Sequence, residues 1–127
     1  MIVVDTSALM AIVLDEQDAE RCAKALEAEP VILISAGTLA EALIVAERRN
    51  VSDEMSKLVD GLGMEIVNVT GATARRVAQA YARWGKGAHV AGLNFGDCFA
   101  YEAAKDNGCA LLYVGDDFSK TDVVGVR

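Results

Sequence analysis

The 127-residue chain has one histidine, one proline and three cysteines, and basic residues are outnumbered 12 to 19 by acidic ones. Each scarcity excludes something. Cys22, Cys98 and Cys109 are odd in number and scattered, so they form no zinc or redox motif and read as reduced, buried thiols. No apolar run is long enough to span a bilayer. The opening residues, Met1 to Asp5, lack the basic segment of a signal peptide and meet an acid at once, so a cytoplasmic protein with no membrane contact is expected. A net charge of −7 disfavours broad, non-specific adhesion to nucleic acid or to an anionic membrane. Carboxylates gathered into a metal site count as negative until the ions bind, so this acidity does not exclude a nuclease.

What remains is 53% hydrophobic, enough for a substantial core, and the length fits one domain over residues 1–127. No internal repeat or low-complexity stretch interrupts it. The β-branched run Ile2 to Val4 predicts a strand, with Thr6 and Ser7 offering capping hydroxyls to a helix over Ala8 to Leu14. A helix over Glu16 to Ala28 is closed by Pro30, and Val31 to Ile34 reads as a second strand. A long helix then runs to about Arg49, with Leu39, Ala42, Leu43 and Ala46 on one face. Helix Asp53 to Asp60, strand Glu65 to Val69, and a helix capped by Thr70 and reaching Trp84 follow. After a glycine-rich loop, Asp97 opens a helix to about Asp106, ended by Gly108. Ala110 to Val114 forms a strand, and Val123 to Val126 a short last one. Alternation of strands and helices with little hairpin chemistry predicts an α/β fold, a parallel sheet covered on both faces. Such sheets bind ligands beyond the carboxyl ends of their strands.

Asp5 and the Asp116-Asp117 pair follow strands directly, and Glu41 and Asp97 lie near helix starts, which face the same edge on right-handed crossovers. Two carboxylates about 4 Å apart repel by roughly 4 kcal/mol at an effective dielectric of about 20. A cluster of four therefore calls for a cation, and an all-oxygen donor set favours Mg²⁺ or Mn²⁺, the ions of phosphoryl chemistry. Read locally, Asp5 and Asp97 also serve as helix N-caps, and Glu41 as an ordinary early-helix acid. One of Asp116 and Asp117 faces the cluster while the other caps the turn before Phe118. Thr6 and Ser7 are placed to hold a carboxylate or a bound water, or simply to cap. Arg48, two turns beyond Glu41, and Arg83 and Lys86, beside the glycine loop with Arg75 and Arg76, offer phosphate contacts or a solvated basic face. His89 and Cys98 read as structural, and Phe95, Phe99 and Tyr101 as core with no stacking platform.

The segments Ile2 to Ala8, Ser35 to Glu41, Gly92 to Tyr101 and Leu112 to Asp122 together resemble PIN-domain proteins, and within them VapC-type toxins, over essentially the whole chain. The resemblance implies a three-layer α/β/α sandwich with a central, mainly parallel sheet. It implies a Mg²⁺- or Mn²⁺-dependent endoribonuclease, the toxin of a toxin–antitoxin pair. It carries the metal-binding, catalytic acids onto Asp5, Glu41, Asp97 and Asp117 or Asp116, and the small hydroxyl onto Ser7. The implied partners are an RNA substrate, a small antitoxin occupying the acidic groove, and a second copy of the chain, although no apolar helix face can be assigned to dimerisation. Two positions depart from the pattern. Glu102 stands where a small or apolar residue is expected, on the surface or adding charge near the groove, and Val90 stands where a proline often follows the loop histidine.

Three other readings compete. An aspartyl-phosphate enzyme built on Asp5 wants an acid two residues later or an acid pair just before, and Ser7 and Val3-Val4 occupy those places. A housekeeping RNA-processing nuclease and a non-catalytic binding module keep the same fold.

Overall fold

The computed structural model describes residues 1–126; Arg127, the last residue of the expected domain, lies outside the described residues. The β-branched opening forms β1 (Ile2–Val4), and Asp5 turns it into α1 (Thr6–Val13). Next come α2 (Ala19–Glu27), β2 (Ile32–Ser35) and α3 (Ala36–Arg48), then α4 (Ser52–Leu62) and β3 (Glu65–Val67). The chain continues through α5 (Gly71–Trp84), α6 (Phe95–Asn107) and β4 (Ala110–Leu112) and ends past a 3-10 turn, Phe118–Lys120. All strand pairings are parallel, in the order β3-β2-β1-β4. The chain steps outward from β1 to β3 on one side and returns for β4 on the other. The reversal of strand order lies beside β1, where such sheets open a crevice at their carboxyl edge.

Strand side chains alternate between two cores, as the two-residue period requires. Val3, Leu33 and Leu111 face α5 and α6, packing with Trp84, Leu93 and Tyr101. Ile2, Val4, Ile32, Ile34 and Leu112 face the first four helices, packing with Leu9, Cys22, Ala42 and Met55. Helices on both faces of a parallel sheet make the expected α/β/α sandwich. Full burial of such side chains contributes about 1.5–3 kcal/mol each.

Local chemistry differs from the sequence reading at several ends. Asp5, not Thr6 or Ser7, is the N-cap of α1, its side chain accepting from the Ser7 amide. Asn94 caps α6, which starts two residues before Asp97, and Asp97 reaches back to the Asn94 amide to complete a capping box. A carboxylate three residues after a capping asparagine looks like a cap itself in sequence. On α3, Leu43 is exposed while Thr38 is fully buried. The expected last strand is reduced to a bridge between Gly125 and Leu111, flanked by the bonds Leu111 N to Val124 O and Val126 N to Leu111 O. Among the described residues no helix is long and apolar enough to cross a membrane.

Candidate active site

Asp5 sits at the carboxyl end of the central strand, its amide donating to Leu112 O of β4 at 3.0 Å. The two oxygens of its carboxyl group have different surroundings. Oδ2 accepts from the Ser7 amide at 3.0 Å and from Ser7 Oγ at 2.7 Å. Oδ1 is buried and has no hydrogen-bond partner. Capping and ligation are therefore not competing roles for Asp5: one oxygen caps and the other is left for something else. Ser7 Oγ also accepts from the Val114 amide at 3.0 Å, so one hydroxyl ties the ends of β1 and β4 together.

Glu41 comes from the second turn of α3. Its Oε1 accepts from Thr6 Oγ1 at 2.7 Å, and Thr6 Oγ1 also lies 3.3 Å from Thr38 O. The carboxylate of Glu41 lies against the backbone of Gly96, where a Cβ would stand 1.9 Å from Oε2. Only glycine at that position lets α3 bring its acid onto the first turn of α6, next to Asp97. A second close approach, Gly37 against the Phe99 ring, lets the same two helices cross. Sequence reasoning missed Gly96 and Gly37. The available signal was a glycine one residue before an acid, inside a helix that glycine disfavours.

The acids feel one another. Burial, then the charges of Asp97 and Glu41, push the Asp5 carboxyl up to about 7, against the lowering effect of Ser7. Burial likewise raises Asp97, with Glu41 and Asp117 adding repulsion and the Asn94 amide and Lys86 opposing it. Asp5, Glu41, Asp97 and Asp117 thus form one electrostatic unit drawn from four distant parts of the chain. Asp117 is held on the β4 side by the buried Phe118, which packs on Tyr113 with ring centroids 5.2 Å apart. Neither member of the acid pair caps the following turn with its side chain, as was expected of one. From within the turn, Ser119 Oγ donates to the main-chain carbonyl of Asp116 at 2.5 Å.

The basic residues divide. Lys86 is close enough to lower Asp97, whereas Arg83 lies 3.7 Å from Asp122 and over the Trp84 ring. Arg48 is exposed at the end of α3 and has no ion pair among the described residues. Glu102 is neither on the surface nor near the groove. It is 4% exposed and its Oε2 meets Arg76 Nε of α5 at 2.7 Å, a buried carboxylate paired with a half-exposed guanidinium. His89 is structural as expected, its Nδ1 accepting from the Ala91 amide at 2.9 Å and its ring standing edge-on to Trp84. Cys98 is buried, which pushes its thiol up to about 11. Phe95 contradicts its assignment to the core. It is 70% exposed, meeting Phe99 edge-to-face with ring centroids 5.0 Å apart.

Among the described residues no three acidic, histidine or cysteine side chains converge tightly enough to hold an ion as they stand. The donor set nonetheless fits a hard divalent cation. It is all oxygen, it contains a buried oxygen with no partner, and its carboxyl groups raise one another, a repulsion that a cation relieves.

Comparison with known proteins bears on the chain as a whole. The family model described as PIN domain matches residues 2–124. The VapC ribonuclease Mb0640 of Mycobacterium bovis is 41% identical over 127 residues, 98% of this chain and 97% of that one. The crystal structure of Mycobacterium tuberculosis VapC20, described as a Sarcin-Ricin loop cleaving toxin, superposes with a TM-score of 0.81 at 19% identity, covering 100% of this chain and 99% of that one. A toxin-antitoxin complex from Klebsiella pneumoniae superposes at 0.72 with 18% identity, covering 99% and 97%.

Proposed function

Because the chain belongs to the PIN-domain family, and within it to the VapC ribonucleases, we propose that it is a divalent-metal-dependent endoribonuclease, the toxin of a toxin–antitoxin pair. The observation that carries the reading is the four-acid unit at the carboxyl edge of β1, with Asp5 Oδ1 buried and unpaired inside it.

Asp5, Glu41, Asp97 and Asp117 are the residues that would hold Mg²⁺ or Mn²⁺, with Asp117 preferred to Asp116 because its charge raises Asp97. Bound there, the ion supplies positive charge to a phosphodiester oxygen and makes water a stronger nucleophile near neutral pH. The protein contributes position. Ser7 fixes Asp5 through its amide and hydroxyl, and Thr6 fixes Glu41. No side chain offers itself as the nucleophile: Ser7 Oγ is bonded to Asp5 and Val114, and the Cys98 thiol is buried. Water is therefore the attacking group. Lys86, the cation beside Asp97, is the phosphate contact; Arg83 is bound to Asp122 and Arg48 stands two turns along α3.

The partner proposed is a small antitoxin with a cationic segment seated among the acids, in a cytoplasmic protein that pairs with a second copy of itself. Support comes from the fold shared with the toxin-antitoxin complex and from the charge of −7. Incubating the purified chain with RNA tests the activity: internal cleavage in Mg²⁺ that stops in EDTA is expected, and cleavage undiminished by EDTA contradicts it.

A further inference from the structure

Beside the acids, between α3 and α6, lies a hollow of about 410 Å³ whose walls are Ala40, Ile44, Phe95 and Phe99, with Glu41 on its rim. Phe95 and Phe99 meet edge-to-face, ring centroids 5.0 Å apart, and Phe95 is the most exposed aromatic side chain here. Phe95 and Asp97 share the first turn of α6, where each residue advances about 1.5 Å along the axis. Their side chains leave the helix on different sides, and it is Glu41, on the rim of the hollow, that joins Phe95 to the acids.

Charge makes an apolar hold necessary. A polyanion approaching Asp5, Glu41, Asp97 and Asp117 meets Lys86 as the one cation that lowers Asp97. Ionic attraction is weak there, whereas stacking of a base on an aromatic face does not depend on the charge of the surroundings. An apolar aromatic wall continuous with the acidic site suits a planar base.

Building on the ribonuclease reading above, we propose that this hollow is a nucleobase subsite, in which Phe95 stacks on the base next to the scissile phosphate. Phe95 is then a substrate-binding residue. A base there lies on the Phe95 face with Ile44 and Ala40 beneath it, and its polar edge turns toward the Glu41 rim.

The test uses a short RNA cut by the wild-type chain in Mg²⁺, and the same RNA made abasic at each position flanking the cut in turn. Phe95→Ala is expected to lower kcat/KM about tenfold on intact RNA, chiefly through KM, and to leave one of the abasic substrates unaffected. Phe95→Trp is expected to restore the intact-RNA value. Equal loss on intact and both abasic RNAs, or no loss, overturns the subsite while leaving the nuclease reading standing. A loss accompanied by a change in oligomeric state on size exclusion also overturns it, assigning the hollow to a protein partner. Failure of the wild type to cut RNA with any divalent cation overturns both. Because Phe95 is exposed, the variants keep the fold, which an unchanged melting temperature verifies.

Discussion

Thr6 Oγ1 donates to Glu41 Oε1 across 2.7 Å, joining the first residue of α1 to an acid 35 positions later on α3. This bond decides where Glu41 points. Removing it while keeping the shape, in Thr6→Val, should reduce cleavage about 10- to 100-fold, the usual cost of losing a residue that orients a ligand. Thr6→Ser should retain most activity, since the hydroxyl remains. Steady-state cleavage of RNA by the two variants measures this, and equal activity of Thr6→Val and wild type would remove Thr6 from the site.

Gly96→Ala puts a methyl group 1.9 Å from Glu41 Oε2. An alanine inside a helix ordinarily gains about 1 kcal/mol over glycine. Here the methyl group displaces the flexible end of Glu41, at little cost to the fold but at the expense of the site. We expect cleavage to fall at least tenfold and the melting temperature to stay level or rise. Undiminished cleavage would show that the close approach has no role.

The pH behaviour of the metal-free protein follows from Asp5. Its carboxyl is raised from 3.8 to about 7, so the folded state holds the proton more tightly than the unfolded chain does. Stability from this group is full below about pH 4 and is lost as pH rises toward 7. At about 1.4 kcal/mol per unit the loss is on the order of 4 kcal/mol. Asp5→Asn, neutral at every pH and still able to accept from Ser7, should be more stable than wild type at pH 8 without metal, and inactive. Denaturant unfolding at pH 5 and pH 8 checks the sign; a variant less stable than wild type at pH 8 would contradict it.

Glu102 is buried against Arg76. Arg76→Ala should lower the melting temperature by several degrees, because it strands a buried carboxylate. The pair Arg76→Met with Glu102→Leu should recover the loss, with cleavage unchanged throughout. Thermal unfolding and RNA cleavage of the three proteins separate this structural role from one in the groove.

Much of the architecture was legible because it depends on local pattern. The short apolar runs of β1 and β2, the Thr70 cap of α5 and the stop at Gly108 with φ 61° all read directly from neighbouring residues. Asp5 was legible as the acid after the first strand, and its cap and ligand readings do not compete, since one oxygen caps while the other is buried without a partner. What was not legible depends on pairs far apart in the chain. The Gly96 approach needs Glu41, the burial of Glu102 needs Arg76, and the exposure of Phe95 depends on what packs against the first turn of α6. Residue type said core for Phe95 and surface for Glu102, and tertiary position reversed both.

The central claim is that Asp5, Glu41, Asp97 and Asp117 make one divalent-cation site, and calorimetric titration with Mn²⁺ at pH 7.5 tests it most directly. The wild-type chain should bind Mn²⁺, with release of protons that makes the measured heat depend on the buffer, and Asp97→Asn should lose that binding while keeping its melting temperature. No Mn²⁺ binding by the wild type, or undiminished binding by a folded Asp97→Asn, would contradict it.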